Sequence, residues 1–210
     1  MNEKFYALSE EKQSQILNAA YKVFATNQYK KAPTSEIAAE AGISKSLLFH
    51  YFHNKLEMYI FLWKHAAALT KKYMCKYKVY ETDDFFEMMR RGLMAKCTVM
   101  RKYTFLALFS INSYFETDPD IQSIIQPDVQ DAAQMTMELL LSILNLDLIR
   151  KDIEFVRIYK EILYASDGML KYWYRTGNYD VTAFEQEYLE MINHWETVYG
   201  KGTENDGKQL

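Results

Sequence analysis

The sequence predicts an all-α protein in which an N-terminal three-helix unit containing a helix-turn-helix precedes a larger helical C-terminal domain. Three observations carry this. Apolar residues recur at helical spacing along most of the 210 residues, and only 7 Gly and 3 Pro interrupt them. Charge is polarised: residues 1–80 hold twelve Lys against six Glu, a balance of +6, whereas the remainder holds thirteen basic and twenty-two acidic side chains, or −9. Within the basic part, two short helical patterns are joined by a glycine turn, Ala41-Gly42-Ile43-Ser44.

The elements follow in order. Ser9 is a good N-cap for a first helix, with Glu10 and Glu11 in the positive first turn and Ile16, Ala20, Val23 and Phe24 on one stripe. That helix is expected to end near Asn27, which can take the left-handed conformation. A second runs from about Thr34 to Ala41 after Pro33, whose fixed φ suits a helix start. Gly42 ends it, and Ser44 caps a third over about Lys45 to Phe52. Asn54 caps a fourth reaching about Val79. Further helices are expected near 83–102, 104–116, 119–125, 127–146, 152–176 and 182–199. The 119–146 segment is divided at Pro127, and the last helix opens on a capping box from Thr182 to Glu185. Glycines in 200–210, without apolar periodicity, predict a flexible tail over 201–210.

Several classes are excluded. No run of about 18 apolar residues exists, and Met1 to Glu11 lacks the order of a signal peptide, so a cytoplasmic protein with no membrane partner is expected. Cys75 and Cys97 sit singly in helical patterns and read as reduced packing residues. GxSxG, HExxH, P-loop and GxGxxG patterns are absent, so neither an enzyme nor a cofactor is expected. His50 and His53 are spaced HxxH but lack a Cys or carboxylate companion, and no metal site is assigned.

The third helix has two faces. Leu48 and Phe52, with Ile37, Ala38, Ala41 and Ile43, are spaced to pack inward. Lys45, Ser46, Phe49 and His50 point the other way, a set that base edges and phosphates can use.

Three blocks, Ile16 to Phe24, Glu36 to Ser44 and Lys45 to Lys55, resemble the DNA-binding region of the TetR family of bacterial transcriptional regulators over about residues 9–65. The resemblance implies that the positions of Lys45, Ser46, Leu47, Phe49 and His50 face the major groove. It implies that Tyr51 and Lys55 hold phosphates, with Thr34 and Ser35 contributing at the start of the second helix. Tyr51 can alternatively be a half-buried core aromatic and His50 a neutral solvent-facing side chain. The chain departs from the family pattern at Gln28, where a helix-ending Gly is usual, at Pro33, where a capping Ser or Thr is usual, and at Leu47, which replaces a small polar residue. Residues 1–80 contain no Arg, so phosphate attraction rests on Lys.

The acidic half is rich in Met and aromatics, which fill irregular space and suit an apolar ligand. Met89, Met100, Phe105, Phe109, Met137 and Tyr172 are the candidate effector contacts, with core packing as the other reading. The last two helices carry apolar residues beyond one stripe, so a second partner is expected for them. Leu163, Gly168, Leu170 and Ile192 are the candidate dimer contacts, with Ala165, Ser166 and Gly168 at the closest approach. The expected organisation is a DNA-binding domain over 1–54, a connecting helix over 55–79, and an effector-binding and dimerisation domain over 80–200. The expected function is a homodimeric, ligand-responsive regulator, a repressor released from a near-palindromic double-stranded operator by a small apolar effector. The alternative is a helical interaction module whose basic face binds an acidic partner.

Overall fold

The computed structural model describes residues 3–201, and the described residues are all helical apart from turns, loops and one isolated bridge between Ile149 and Gly200. The helices are α1 (Glu3–Tyr6), α2 (Glu10–Thr26), α3 (Thr34–Glu40), α4 (Lys45–Phe52), α5 (Lys55–Lys76), α6 (Phe85–Lys102), α7 (Leu106–Tyr114), α8 (Pro119–Ile143), α9 (Phe155–Thr176) and α10 (Val181–Tyr199). No described helix is long and apolar enough to cross a membrane.

Local chemistry sets most of the boundaries. Ser9 accepts the N–H of Lys12 at 3.3 Å, and Ser44 accepts that of Leu47 at 3.1 Å. Asn54 and Glu57 bond reciprocally, each satisfying the other's exposed polar group at the start of α5. The end of α3 requires glycine. Gly42 has φ +61°, and the Ile43 N–H reaches back to the Ala38 carbonyl at 3.0 Å, which closes orphan carbonyls through a left-handed residue.

Four sequence expectations are corrected. Asn27 is extended at φ −134°, and it ends α2 through its side chain, whose Nδ2 donates to the Val23 carbonyl at 2.9 Å. Pro127 lies inside one continuous α8; buried Ile121 and Ile125 anchor the turns ahead of it, so packing outweighs the lost backbone bond. Asp180, not Thr182, caps α10, accepting from the N–H groups of Thr182 and Ala183. Lys201 donates its N–H to Leu148 O at 2.7 Å, so the chain is still paired where a tail was expected; residues 202–210 lie outside the described residues.

By compactness the chain divides differently from the expected 1–54, 55–79 and 80–200. Among the described residues, one unit comprises 3–73 and 95–137, the other 74–94 and 138–201. In the first, α2 packs on α7 as well as on α3. The Phe109 ring lies 5.3 Å from that of Tyr21 and 4.9 Å from that of Tyr59, and Asn112 Nδ2 donates to Ala25 O at 2.8 Å. The Tyr59 hydroxyl bonds Ser113 Oγ at 2.9 Å, and burial pushes its pKa up to about 12. The second unit is built on α9 and α10, where Phe184 packs on Trp173 and Arg90 forms an ion pair with Glu196.

Candidate nucleic-acid interface

α4 is held from one side. Leu48 is fully buried, Phe52 nearly so, and α4 packs against α3 and α1. The four-residue α1, which sequence periodicity cannot detect, contributes Phe5, whose ring lies 5.1 Å from Phe52, 6.0 Å from Tyr51 and 5.9 Å from Phe61. Burying a Leu and two Phe side chains contributes on the order of 5–9 kcal/mol, offset in large part by ordering entropy, and fixes the rotation of α4 about its axis.

That rotation decides which side chains face solvent. Lys45, Ser46 and His50 are exposed, while Leu47 and Phe49 are half-buried. The Lys45 ammonium lies 5.8 Å from the Phe49 ring centroid, so cation and aromatic share one patch. Ser35 is exposed and Thr34 half-buried at the start of α3, where Pro33 supplies no side-chain cap. Tyr51 is 7% exposed, with its ring edge-on to Phe5.

Lys55 begins α5 and is engaged within the chain. Its Nζ donates to the carbonyl of Lys30 at 3.2 Å and lies 4.9 Å from the Tyr29 ring centroid. Partial burial lowers its pKa, and the carboxylates of Asp118 and Glu116 oppose that shift. Those acids, at the α7–α8 junction, also reach the Tyr29–Lys31 turn: Glu116 Oε2 accepts the Tyr29 N–H at 2.8 Å, and Lys30 Nζ lies 3.4 Å from Asp118 Oδ2. Sequence reasoning missed Tyr29, Lys30 and Glu116. The adjacent lysines 30 and 31 are a local signal, but nothing local points from Tyr29 to a residue 87 positions away.

The N-terminal region matches the model of the family described as bacterial regulatory proteins, tetR family, over residues 16–60. A Bacillus subtilis protein named fatty acid metabolism regulator protein is 30% identical over 166 residues, 79% of this chain and 70% of that protein. The chain belongs to the TetR family.

A stretch of 51 residues, 24% of this chain, is 43% identical to the HTH-type transcriptional activator FasR of Mycolicibacterium smegmatis, of which it covers 23%. Solved TetR-family structures share the fold at lower identity. The ketosteroid transcriptional regulator KstR2 of Mycobacterium tuberculosis has a TM-score of 0.65 at 17% identity, covering 93% of this chain and 97% of that one. The fatty acid degradation regulator FadR of Bacillus halodurans has a TM-score of 0.57 at 19% identity, covering 85% and 96%. The FadR structure from Bacillus subtilis, solved with stearoyl-CoA, has the same TM-score, identity and coverage. This TetR-family chain is a transcriptional regulator, with a helix-turn-helix domain at its N-terminus and a larger helical part after it.

The six candidate effector residues divide between the two compact units. Met100, Phe105, Phe109 and Met137 belong to the first unit, Met89 and Tyr172 to the second. Met100 and Phe109 are fully buried among the chain's own side chains, and Tyr172 is 59% exposed. Met and aromatic content cannot distinguish a core from a ligand wall, because both need adaptable apolar volume. A surface groove of about 440 Å³ is lined by Phe52, Leu56, Glu57, Ile60, Phe61, Lys64 and Ile124, none of them among the six.

The dimer candidates separate in the same way. Leu170 and Ile192 are buried in the core of their own unit, which removes them from a subunit contact. Ser166 is buried as well; its hydroxyl donates to Ile162 O at 2.6 Å and accepts from the Tyr188 hydroxyl. Leu163 and Gly168 are exposed, and a Cβ at Gly168 would meet no atom within 4 Å. α9 packs against α10 through its buried face, while Leu163, Tyr164 and Tyr172 on α9 and Leu189 on α10 remain exposed.

Proposed function

We propose that the chain is a homodimeric, ligand-responsive repressor whose α4 reads a near-palindromic operator and which a small apolar effector releases. The observation that carries it is the two-sidedness of α4: Leu48 and Phe52 are pinned in the core while Lys45, Ser46 and His50 face outward, capped at Ser44. Lys45, Ser46, Leu47, Phe49 and His50 are the proposed groove residues; Thr34, Ser35 and Lys55 are the proposed backbone contacts. Residues 1–54 act as the reading head, 55–79 as the connecting helix, and 80–200 as the effector-binding and dimerising part. Two copies are required because one short helix makes too few contacts for a specific site.

The effector class to test first is a fatty acyl thioester. Two observations support that choice: the relative 30% identical over most of this chain is a fatty acid metabolism regulator, and the similar FadR structure from Bacillus subtilis holds stearoyl-CoA. Release follows by population shift if the effector binds more tightly to the dimer arrangement that does not fit successive grooves.

The test is selection of binding sequences from a random duplex pool, followed by titration of the selected duplex with acyl thioesters, sterols and aromatic compounds. Enrichment of an inverted repeat, released by one class, supports the reading; binding without enrichment favours the interaction-module alternative. A reporter driven by the selected site separates repression from activation, because loss of a repressor raises expression.

A further inference from the structure

The Tyr29–Lys31 turn sits between two segments far apart in sequence. Glu116 Oε2 accepts its Tyr29 N–H at 2.8 Å. On the opposite side the Lys55 ammonium donates to Lys30 O at 3.2 Å and lies over the Tyr29 ring. Glu116 is itself fixed, since its Oε1 accepts the N–H groups of Thr117 at 2.9 Å and Asp118 at 3.1 Å. The Asp118 side chain, 3% exposed, accepts in turn from Asp120 and Ile121 at the start of α8 and faces the Lys30 ammonium. Every polar atom that Glu116 offers is therefore used to hold backbone.

A lysine has a flexible four-carbon stem and loses roughly 2 kcal/mol of rotamer freedom when its ammonium is ordered. A turn that holds the stem and head beforehand reduces that cost when a phosphate arrives. Charge alone gives the opposite expectation, because a carboxylate beside a phosphate-binding cation weakens attraction for a polyanion.

We propose that Glu116 is a positioning residue for DNA-backbone binding, fixing the Tyr29–Lys31 turn that holds the Lys55 ammonium where a phosphate takes it. This rests on the reading of Lys55 as a phosphate contact. A strut from the α7–α8 junction thus supports a contact made at the start of α5. The carboxylate contributes through geometry despite its charge.

Phosphate contacts carry no sequence information, so a labelled duplex of arbitrary sequence, about three helical turns long, is a sufficient probe. Its affinity is measured at several salt concentrations for the full chain, for Glu116→Ala, Glu116→Gln and Lys55→Ala, and for Glu116→Ala combined with Lys55→Ala. Melting temperature and helicity are recorded for each. Glu116→Ala is expected to weaken binding by about three- to ten-fold. Glu116→Gln should lose less, because its amide oxygen can still accept the Tyr29 N–H. In the Lys55→Ala background the Glu116→Ala loss should vanish, which a general loss of stability would not produce. Unchanged or tighter binding by Glu116→Ala overturns the proposal, and so does an equal loss in both backgrounds. If Lys55→Ala binds as the wild type does, the phosphate assignment of Lys55 falls and takes the proposal with it, while DNA binding stands. A wild type with no affinity for duplex DNA overturns the functional reading itself.

Discussion

The Tyr21 hydroxyl and the His65 ring are bonded at 2.8 Å between Nδ1 and the oxygen, in a part-buried site of the first unit. Because that hydroxyl donates to Leu62 O at 3.0 Å, its oxygen is left to accept, and the ring must donate from Nδ1. Phe61 stacks on His65, and the Tyr103 ring meets it edge-on at 5.3 Å. Burial, with the Lys102 charge adding to it, lowers the His65 pKa to about 4, and burial raises that of Tyr21.

Stability is expected to depend on pH through this ring. The folded pKa is about 4 while the unfolded value is about 6.5, so as pH falls the unfolded chain takes up the proton first. The contribution is complete above about pH 6.5 and is lost as pH falls through about 4; allowing for partial exposure it amounts to about 2 kcal/mol. Urea unfolding at several pH values, for wild type and His65→Phe, checks this. An equally steep acid slope in the variant assigns the effect elsewhere.

Gly42→Ala should destabilise the reading head by about 1–2 kcal/mol, because the residue holds φ +61°. Space is not the cause: a Cβ would meet only Gln15 Nε2 at 3.6 Å and Lys12 Nζ at 4.0 Å, ordinary contacts. Gly42→Asn should lose less, since Asn tolerates the left-handed region. Thermal unfolding by circular dichroism measures both, and a neutral Gly42→Ala would mean that the turn relaxes without it.

Lys45→Ala and Lys55→Ala should differ in kind. Lys45 is exposed on α4, where a base-edge contact is worth about 1–3 kcal/mol and its loss relaxes sequence preference. Lys55, held at the Tyr29–Lys31 turn, should weaken binding to all duplexes about equally. Competition between a selected site and scrambled DNA separates the two, and unchanged affinity in both variants removes the groove assignment.

Gly168→Leu should have opposite effects on monomer and dimer. Gly168 is exposed with open space around it, and Tyr164 and Tyr172, four residues to either side, are 68% and 59% exposed. In a lone chain, replacing a mid-helix glycine adds up to about 1 kcal/mol of stability. At a subunit crossing the added side chain blocks close approach of the two backbones. Sedimentation at micromolar concentration, with unfolding run in parallel, tests this: a variant that remains fully dimeric places the contact elsewhere.

The sequence by itself determined what short-range rules determine. Ser9, Ser44 and Asn54 cap helices because a side-chain oxygen a few residues from an orphan N–H needs no tertiary help. Gly42 ends α3 because only a left-handed residue closes that turn. Periodicity alone placed Leu48 and Phe52 inside and Lys45, Ser46 and His50 outside, and three ordered blocks of residues sufficed to point to the family. The tertiary structure decided the rest. Pro127 remains helical, Tyr51 is buried against a four-residue helix no pattern announces, and Leu170, Ser166 and Ile192 face their own core. Above all, Glu116 meets the Tyr29 backbone across 87 residues, and a backbone N–H carries no side-chain signature from which such a partner can be read. Contacts of that kind depend on where α2 and α7 come to rest against each other, which packing fixes and local propensity does not.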